Sequence, residues 1–446
     1  MADAAAMPRG SNPISRAVDL RPGEAPALLW SSAYFLLILT SYYILRPIRD
    51  DMGAAGGVEN LAWLFTGTLV GMMLIHPLFT SLVARFPRQK FVPLIYRFFI
   101  LNLVVFFILL RTENPAQAVW TGRVFFIWVS VFNLFVVSVF WSFMADLFDR
   151  EQGKRVFAFI AAGASSGGIL GASIPAFFAA TLGEVNLLLV SAALLAATLW
   201  PIRSLLAWAG AHATARVVRE DRAIGGNPFA GFTRVFTSGY LSGIALFVFL
   251  MAAVSTFLYL QQADLLSEFF PDRDARTAFL GRIDLVVNVA VVLMQVIAVG
   301  RLTARVGLPV MIVSVPIFVA AGFLLIVASP TLYVLVGVYV FRRLGQYAVV
   351  RPCREMLYTT VDRESKYKAK NVNDTLVYRT SDFVVAKGHD AFVAAFSAGL
   401  AAVACIGAAV ALAWAVVAWL LGRAHERMRN ENEGDSRLQP GAAPPS

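Results

Sequence analysis

The chain has 446 residues, of which 58% are hydrophobic and 15% are charged, and its mean hydropathy is +0.68. This composition excludes a soluble globular protein of that length and indicates a membrane protein. The net charge of +10 would suit a nucleic-acid partner, but the basic residues lie mostly in short segments between apolar runs, as the positive-inside rule requires. We therefore expect membrane lipids, and no nucleic acid, as partners.

The apolar runs predict an all-α, polytopic membrane protein. A spanning helix needs roughly 20 mostly apolar residues. About twelve such segments follow one another, centred near residues 37, 72, 101, 131, 168, 197, 250, 290, 318, 340, 387 and 410. The excess of Arg and Lys on one side predicts that both termini are cytoplasmic in a multi-pass protein of the inner (plasma) membrane.

The segments fall into two similar halves. The motif "LVARF" at Leu82 recurs as "LTARV" at Leu302, and "DRE" at Asp149 recurs at Asp362. Two pseudo-symmetric six-helix halves around a basic central segment resemble the major facilitator fold, in which the halves rock about a midplane site. The predicted domains are an N-terminal tail (1–26), a first half (27–208), a cytoplasmic linker (209–238), a second half (239–422) and a C-terminal tail (423–446).

The first helix ends in Arg46-Pro47-Ile48-Arg49, followed by Asp50 and Asp51. In one interpretation the arginines lift their charges to the membrane interface and Arg46 pairs with Asp50. In the other they bind an anion, since two cations at an outer end oppose the positive-inside bias and the Arg fork suits phosphate or carboxylate. We favour the anion.

Gly163, Gly167 and Gly171 recur at four-residue spacing on one helical face. This pattern lets membrane helices approach closely. A phosphate-binding loop would need a Lys-Ser/Thr pair after its second glycine, and Ile169-Leu170 stand there. Helix packing is the prediction.

Arg342 and Arg343 lie about eleven residues into the tenth apolar segment, near the predicted midplane. Each costs on the order of 2.5 to 3.5 kcal/mol there, so both must face protein, water or a ligand. Topology leaves ten cations of the 38 unexplained: Arg46, Arg49, Arg97, Arg282, Arg342, Arg343, Arg351, Arg354, Arg379 and Lys387.

The eleventh segment carries Lys387 with Arg379, Asp382, His389 and Asp390. One interpretation is a ladder of ion pairs, because Arg379 and Asp382, like Lys387 and Asp390, are three residues apart. The other, which we favour, is a polar face toward a central cavity, since Arg342 and Arg343 have no acid at helical spacing on their own helix.

Four stretches resemble the nucleotide transporter (ATP/ADP antiporter) family of plastids and intracellular bacteria. They are "YYILRPIRDDM" (42–52), "FWSFMADLFDREQGKRVF" (140–157), "SEFFPDRDARTAFLGRIDL" (267–285) and "SDFVVAKGHDA" (381–391). The resemblance implies twelve spans and a nucleotide exchange cycle. It places two of the family's important cations on Arg49 and Lys387, whereas two important membrane acids fall near Asn133 and on Tyr259.

We predict a secondary transporter that exchanges a nucleotide or another phosphorylated or anionic organic solute. The alternatives are a proton-coupled major-facilitator transporter of an unrelated solute and a membrane assembly factor or receptor that transports nothing. No enzyme activity, cofactor or metal is expected. The predicted substrate-binding residues are Arg46, Arg49, Asn133, Tyr259, Gln262, Arg342, Arg343, Gln346 and Lys387, and the predicted coupling residues are Asp284, Asp382, His389 and Asp390.

Overall fold

The computed structural model describes residues 23–54, 60–85, 88–112, 114–148, 150–212, 235–295, 300–361, 369–370, 372–396 and 399–438. Within these ranges the chain is almost wholly helical and has no strand. The helices are α1 (Ala25–Ala54), α2 (Leu61–Arg85), α3 (Arg88–Leu110), α4 (Pro115–Leu147), α5 (Arg150–Leu182), α6 (Glu184–Ala197), α7 (Leu199–His212), α8 (Gly239–Phe269), α9 (Arg273–Met294), α10 (Gly300–Ala328), α11 (Leu332–Gly345), α12 (Arg351–Leu357), α13 (Tyr378–Phe396) and α14 (Leu400–Leu438).

The helices match the predicted apolar segments and confirm a polytopic α-helical membrane protein. α6 and α7 together make one apolar run, and α11 continues into α12 through the π-helical turn Gln346–Val350. Among the described residues, nine helices are long and apolar enough to cross a membrane, and Leu61–Ile75 is a shorter apolar helix. α11 and α12 fall outside this set because each is too short by itself, and α13 falls outside it because it carries Arg379, Asp382, Lys387 and Asp390.

Several helices begin at a polar residue whose side chain caps the first turn. The Asn114 side chain accepts from the backbone N–H groups of Ala116 and Gln117, with Pro115 at the first helical position of α4. Ser238 caps α8, and Thr331 caps α11, in the same manner. These caps satisfy N–H groups that a membrane helix end cannot leave unpaired.

The chain divides into two compact units. Unit 1 contains Met1–Gly53, Gly71–Ala223 and Asp272–Leu285, and unit 2 contains Ala54–Val70, Ile224–Pro271 and Val286–Ser446. The units follow the two predicted halves except at 54–70 and 272–285, which each belong to the unit of the other half. Most of the predicted linker (213–234) and of both tails (1–22 and 439–446) lies outside the described residues, so the domain boundaries stay predictions.

Unit 1 has an aromatic core around α1. The Phe35 and Phe140 rings stack with their centroids 4.1 Å apart, and Tyr34 lies edge-on to Tyr96 and Phe140. The glycine run of α5 lies directly against the α1 backbone. A Cβ at Gly163 would come within 2.7 Å of the Ser32 carbonyl oxygen, and Gly167 and Gly171 meet Leu36 and Thr40 in the same way. The packing prediction for these glycines is confirmed.

Unit 2 is organised around two long helices. α14 packs against α8 and α10, while α8 also packs against α11 and α13. α10 is interrupted at Gly307, whose φ of 80° is outside the helical region. α11 and α13, the helices that carry the predicted deep cations of unit 2, therefore both lie against α8.

Candidate functional site

Arg342 is a buried cation whose partners are neutral. Its side chain is on α11, and the residue is only 6% exposed. Nη1 donates to the Ser255 hydroxyl of α8 at 2.6 Å and to the Gln346 amide oxygen, and the guanidinium lies 5.5 Å from the centroid of the Tyr339 ring. Nε has no hydrogen-bond partner, and no carboxylate pairs with this arginine, in the part of the chain that the structure describes.

Arg343 follows it and is 2% exposed. Its guanidinium lies against two rings, Tyr339 at 5.5 Å and Tyr347 at 6.0 Å. The π-helical turn that begins at Gln346 comes one turn after these arginines, and π-helical turns occur frequently at functional sites. The turn places the Gln346 amide against Arg342.

Lys387 is held by an aromatic ring. Its Nζ lies 4.4 Å from the centroid of the Trp63 ring, which comes from the first turn of α2 and belongs to unit 2. Among the described residues no carboxylate lies within ion-pair distance of Lys387, so the predicted pair with Asp390 is not formed. Two residues after Trp63, the Phe65 ring contacts Tyr259 of α8 edge-on at 5.8 Å.

Asp382 is a buried acid of α13. Its carboxylate accepts from the Thr256 hydroxyl at 2.8 Å and from Arg379 at 3.1 Å. The second contact is one ion pair of the ladder interpretation, which we had not favoured. Thr256 is next to Ser255, which is hydrogen-bonded to Arg342. α8 therefore connects Arg342 to the pair of Asp382 and Arg379. We call Arg342, Arg343, Arg379, Lys387 and Asp382 the unit 2 charge cluster; it has four cations and one carboxylate.

The remaining predicted residues of unit 2 lie near this cluster in sequence. His389 is buried with Nδ1 3.7 Å from the half-buried Asp390. Gln262 is buried one turn after Tyr259, and its amide oxygen has no partner among the described residues; the same holds for both amide atoms of Gln261.

The predicted residues of unit 1 gather at the end of α1. Arg46 pairs with Asp284 of α9 at 3.7 Å. Arg49 donates through Nε and Nη2 to one oxygen of Asp50, at 3.0 and 2.6 Å, and its guanidinium lies 5.1 Å from the Phe126 ring of α4. Arg49 also reaches the Ser130 hydroxyl at 3.5 Å, and the half-buried Asn133 lies one turn beyond Ser130.

The sequence interpretation missed a second charged group in unit 1. The fully buried Asp51 carboxylate accepts from Arg273 at 3.1 Å and from Arg276 at 2.5 Å. Arg273 also pairs with Glu184 at 2.9 Å. Neither arginine is among the ten cations that topology left unexplained. The sequence feature that could have indicated these ion pairs is an acidic residue at the end of an apolar segment, which occurs at Asp51 and again at Glu184.

The other residues that the sequence did not single out are Ser255, Thr256 and Trp63. Hydroxyls and rings are common in membrane helices, so nothing in the pattern separates these three from their neighbours. No group of three or more His, Cys, Asp or Glu side chains that could hold a metal ion occurs among the residues described.

Comparison with known proteins identifies the architecture. No protein-family model matches the chain, and no curated protein matches it. Among solved structures, a bacterial homologue of the iron transporter ferroportin in an inward-facing state has a TM-score of 0.61 at 14% identity, covering 90% of this chain and 98% of that one.

Two further structures give a similar result. The POT family transporter PepTSo has a TM-score of 0.59 at 12% identity, covering 90% of this chain and 98% of that one. A bacterial metal transporter has a TM-score of 0.56 at 13% identity, covering 90% and 99%. At such identities the likeness establishes a shared major-facilitator-like fold, and the resemblance to the nucleotide transporter family stays a prediction.

Proposed function

We propose that the chain is a secondary transporter of an anionic organic solute and that Arg342 binds the anion. The observation that carries the proposal is a buried guanidinium with neutral partners only, among the described residues, inside a predicted membrane span. A buried charge without a partner of opposite sign is strongly unfavourable, so an anionic ligand is the natural counter-ion.

The partners of Arg342 suit this role. Ser255 and Gln346 fix the guanidinium through Nη1, and the buried Nε has no hydrogen-bond partner among the described residues, so Nε is the donor that we propose for a phosphate or carboxylate. Lys387 of the same unit likewise has no carboxylate within ion-pair distance among the described residues. Two such cations favour a ligand with more than one negative charge.

A nucleotide exchanged for another nucleotide is the specific substrate that we propose. The support is the sequence resemblance, which places two important cations on Arg49 and Lys387, and the rings of Trp63, Phe65 and Tyr259 within unit 2. Aromatic rings stack on bases, and the buried Gln262 amide offers a hydrogen-bonding edge. We place the protein in the inner membrane with both termini cytoplasmic.

The test measures the thermal unfolding of the purified full chain with ATP, ADP, inorganic phosphate or uncharged adenosine. We expect the nucleotides to raise the midpoint and adenosine to leave it unchanged. Arg342→Gln should remove the nucleotide effect without destabilising the free protein, because it replaces an uncompensated buried charge by a neutral side chain.

The matched control is Arg423→Gln, the same change at an exposed residue of α14 in unit 2. This variant should respond to nucleotides as the wild type does. A wild type that no anion stabilises, or an Arg342→Gln variant that still responds fully, would contradict the proposal. Proteoliposomes loaded with ADP then test exchange, since uptake of labelled nucleotide should depend on nucleotide inside.

Coupling to protons is a second proposal, and the contacts of Asp382 favour it. This carboxylate is buried between Thr256 and Arg379, where a change of protonation alters the charge of the cluster. Asp284, beside Arg46, and the pair of His389 and Asp390 are the other coupling residues proposed. Uptake that follows an imposed pH gradient in the wild type, but not in Asp382→Asn, would support coupling at this acid.

A further inference from the structure

A buried charge network in unit 1 joins three helices and plays no part in the anion site proposed above. Asp51 of α1 pairs with Arg273 and Arg276, both of α9. Arg273 also pairs with Glu184, the first residue of α6, and the Glu184 carboxylate accepts from the Thr277 hydroxyl at 3.0 Å. The two acids belong to the first half of the sequence and the two arginines to the second half.

The network has more negative than positive groups. Asp274, the residue after Arg273, accepts from the backbone N–H of Glu184 at 2.6 Å, so three carboxylates stand against two guanidinium groups. Other charged groups on these and the neighbouring elements include the pairs Arg46–Asp284 and Arg49–Asp50, the exposed Asp272, the exposed Arg111 bonded to Asn186, Arg123 of α4 over the Trp120 ring, and Arg282 of α9, which donates to the Ala176 carbonyl. The two pairs add no net charge, and neither Arg111 nor Arg123 forms an ion pair among the described residues.

Of the two buried acids, Glu184 is the less compensated. The side chain of Asp51 has no exposure and is held by two guanidinium groups. Glu184 is almost as deeply buried, but among the described residues its cation is Arg273 alone, which it shares with Asp51 and whose side chain is 40% exposed. Two buried carboxylates that share one cation favour the uptake of a proton by the weaker partner.

We propose that Glu184 is a proton-binding site. When the carboxylate takes up a proton it becomes a neutral acid, and the Thr277 hydroxyl can turn to accept from it. The ion pair of Glu184 with Arg273 is then lost, and Arg273 remains with Asp51. Protonation therefore removes one of the ionic links between the two sequence halves within unit 1. This site requires no particular substrate, so it stands apart from the anion proposal.

Infrared difference spectroscopy of the purified full chain tests the site directly. A protonated carboxylic acid has a carbonyl-stretch band that the carboxylate lacks. We expect such a band to appear as the pH is lowered from about 9 to about 5, the range reached by buried glutamates, and to shift when the glutamates carry ¹³C in the carboxyl group. The isotope separates glutamate from aspartate without any substitution.

Variants assign the band to Glu184 and test the effect of the charged residues beside it. Glu184→Gln should remove the band, and the control Glu268→Gln, at an exposed residue of α8, should retain it. Arg273→Gln should move the titration midpoint to higher pH because a cation is lost, whereas Asp51→Asn should move it to lower pH because an anion is lost. A purely structural glutamate would show neither shift.

Three results would overturn the proposal. They are the absence of a glutamate band over that pH range in the wild type, a band that survives in a folded Glu184→Gln variant, and a network that responds to sodium and not to pH. The last result would identify the excess negative charge as a site for a metal cation. None of them bears on the nucleotide response of Arg342, so the two proposals fail separately.

Discussion

Arg49 shows how one side chain combines two roles. It holds Asp50 through two N–H groups, and it also carries the positive charge that the resemblance assigns to substrate binding. If the guanidinium meets the anion, Arg49→Ala should weaken anion binding about 10- to 100-fold, since a charge-assisted hydrogen bond contributes roughly 1.5 to 3 kcal/mol. Arg49→Lys should lose less, because it keeps the charge but not the planar fork.

The double variant Arg49→Ala/Asp50→Asn separates these roles. Removing both charges restores neutrality at the end of α1, so the thermal midpoint should return toward the wild-type value. Anion affinity, measured by titration of the same samples, should stay low. Recovery of affinity together with stability would show that Arg49 acts only by neutralising Asp50.

For individual residues, the sequence predicted which charged side chains are buried better than it predicted the side chains that they contact. The depth of Arg342 and Arg343 follows from counting along an apolar segment, and both are buried. The pair of Arg379 with Asp382 follows from helical spacing. The contact of Lys387 with Trp63 does not, because a ring that is distant in sequence gives no periodic signal.

Among the helices, the close approach of α5 to α1 gives a direct test. Gly167→Ala would place a methyl group against the Leu36 carbonyl oxygen, so the helices must separate. We expect a loss of about 1 to 3 kcal/mol, as for other overpacked cores. A Cβ at Gly337 of α11 meets nothing within 4 Å, so Gly337→Ala should be neutral or stabilise by about 0.5 to 1 kcal/mol.

Thermal unfolding of both variants in the same detergent measures the difference. Equal midpoints would show that α1 and α5 are not in backbone contact at this glycine. The glycine spacing alone predicted this packing, whereas the π-helical turns at Gln346–Val350 and Val372–Val377 have no sequence signal of comparable strength. Each of these turns lies next to a cation of the unit 2 charge cluster. Their i→i+5 hydrogen bonds depend on the packing of the surrounding helices, which the local sequence does not show.

For the whole molecule, the all-helical membrane fold and the order of the apolar helices followed from apolar length, and the fold is confirmed by the structural likeness. The count of twelve spans stays a prediction. Membership of each segment in a unit did not follow, because residues 54–70 and 272–285 pack in the unit of the other sequence half. Charge explains one exception: Arg273 and Arg276 pair with acids of the first half. Residues so far apart in the sequence show no regular spacing, so these ion pairs could not be predicted from it.

The topology gives a prediction at the same scale. Reporter fusions after Arg150 and Arg219 should report the cytoplasm, since four and six spans precede them, and a fusion at Asp272 should report the opposite side. The activity of paired cytoplasmic and periplasmic reporters at each position measures this. A periplasmic signal at Arg219 would refute the twelve-span arrangement with a cytoplasmic linker.

The exchange of short segments between the two units also constrains the order of synthesis. Residues 54–70 leave the ribosome long before the rest of unit 2. The contacts of Trp63 with Lys387 and of Phe65 with Tyr259 can therefore form only after the later helices have been synthesised. Asp51 and Glu184 likewise wait for Arg273 and Arg276. Unit 1 needs residues 272–285, which follow the central linker, and unit 2 needs residues 54–70, which precede it. Neither unit is therefore complete within one sequence half, although domains generally fold one after another during translation. A gene divided at the central linker would therefore yield two fragments that are each incomplete alone and that need to be made together in one cell.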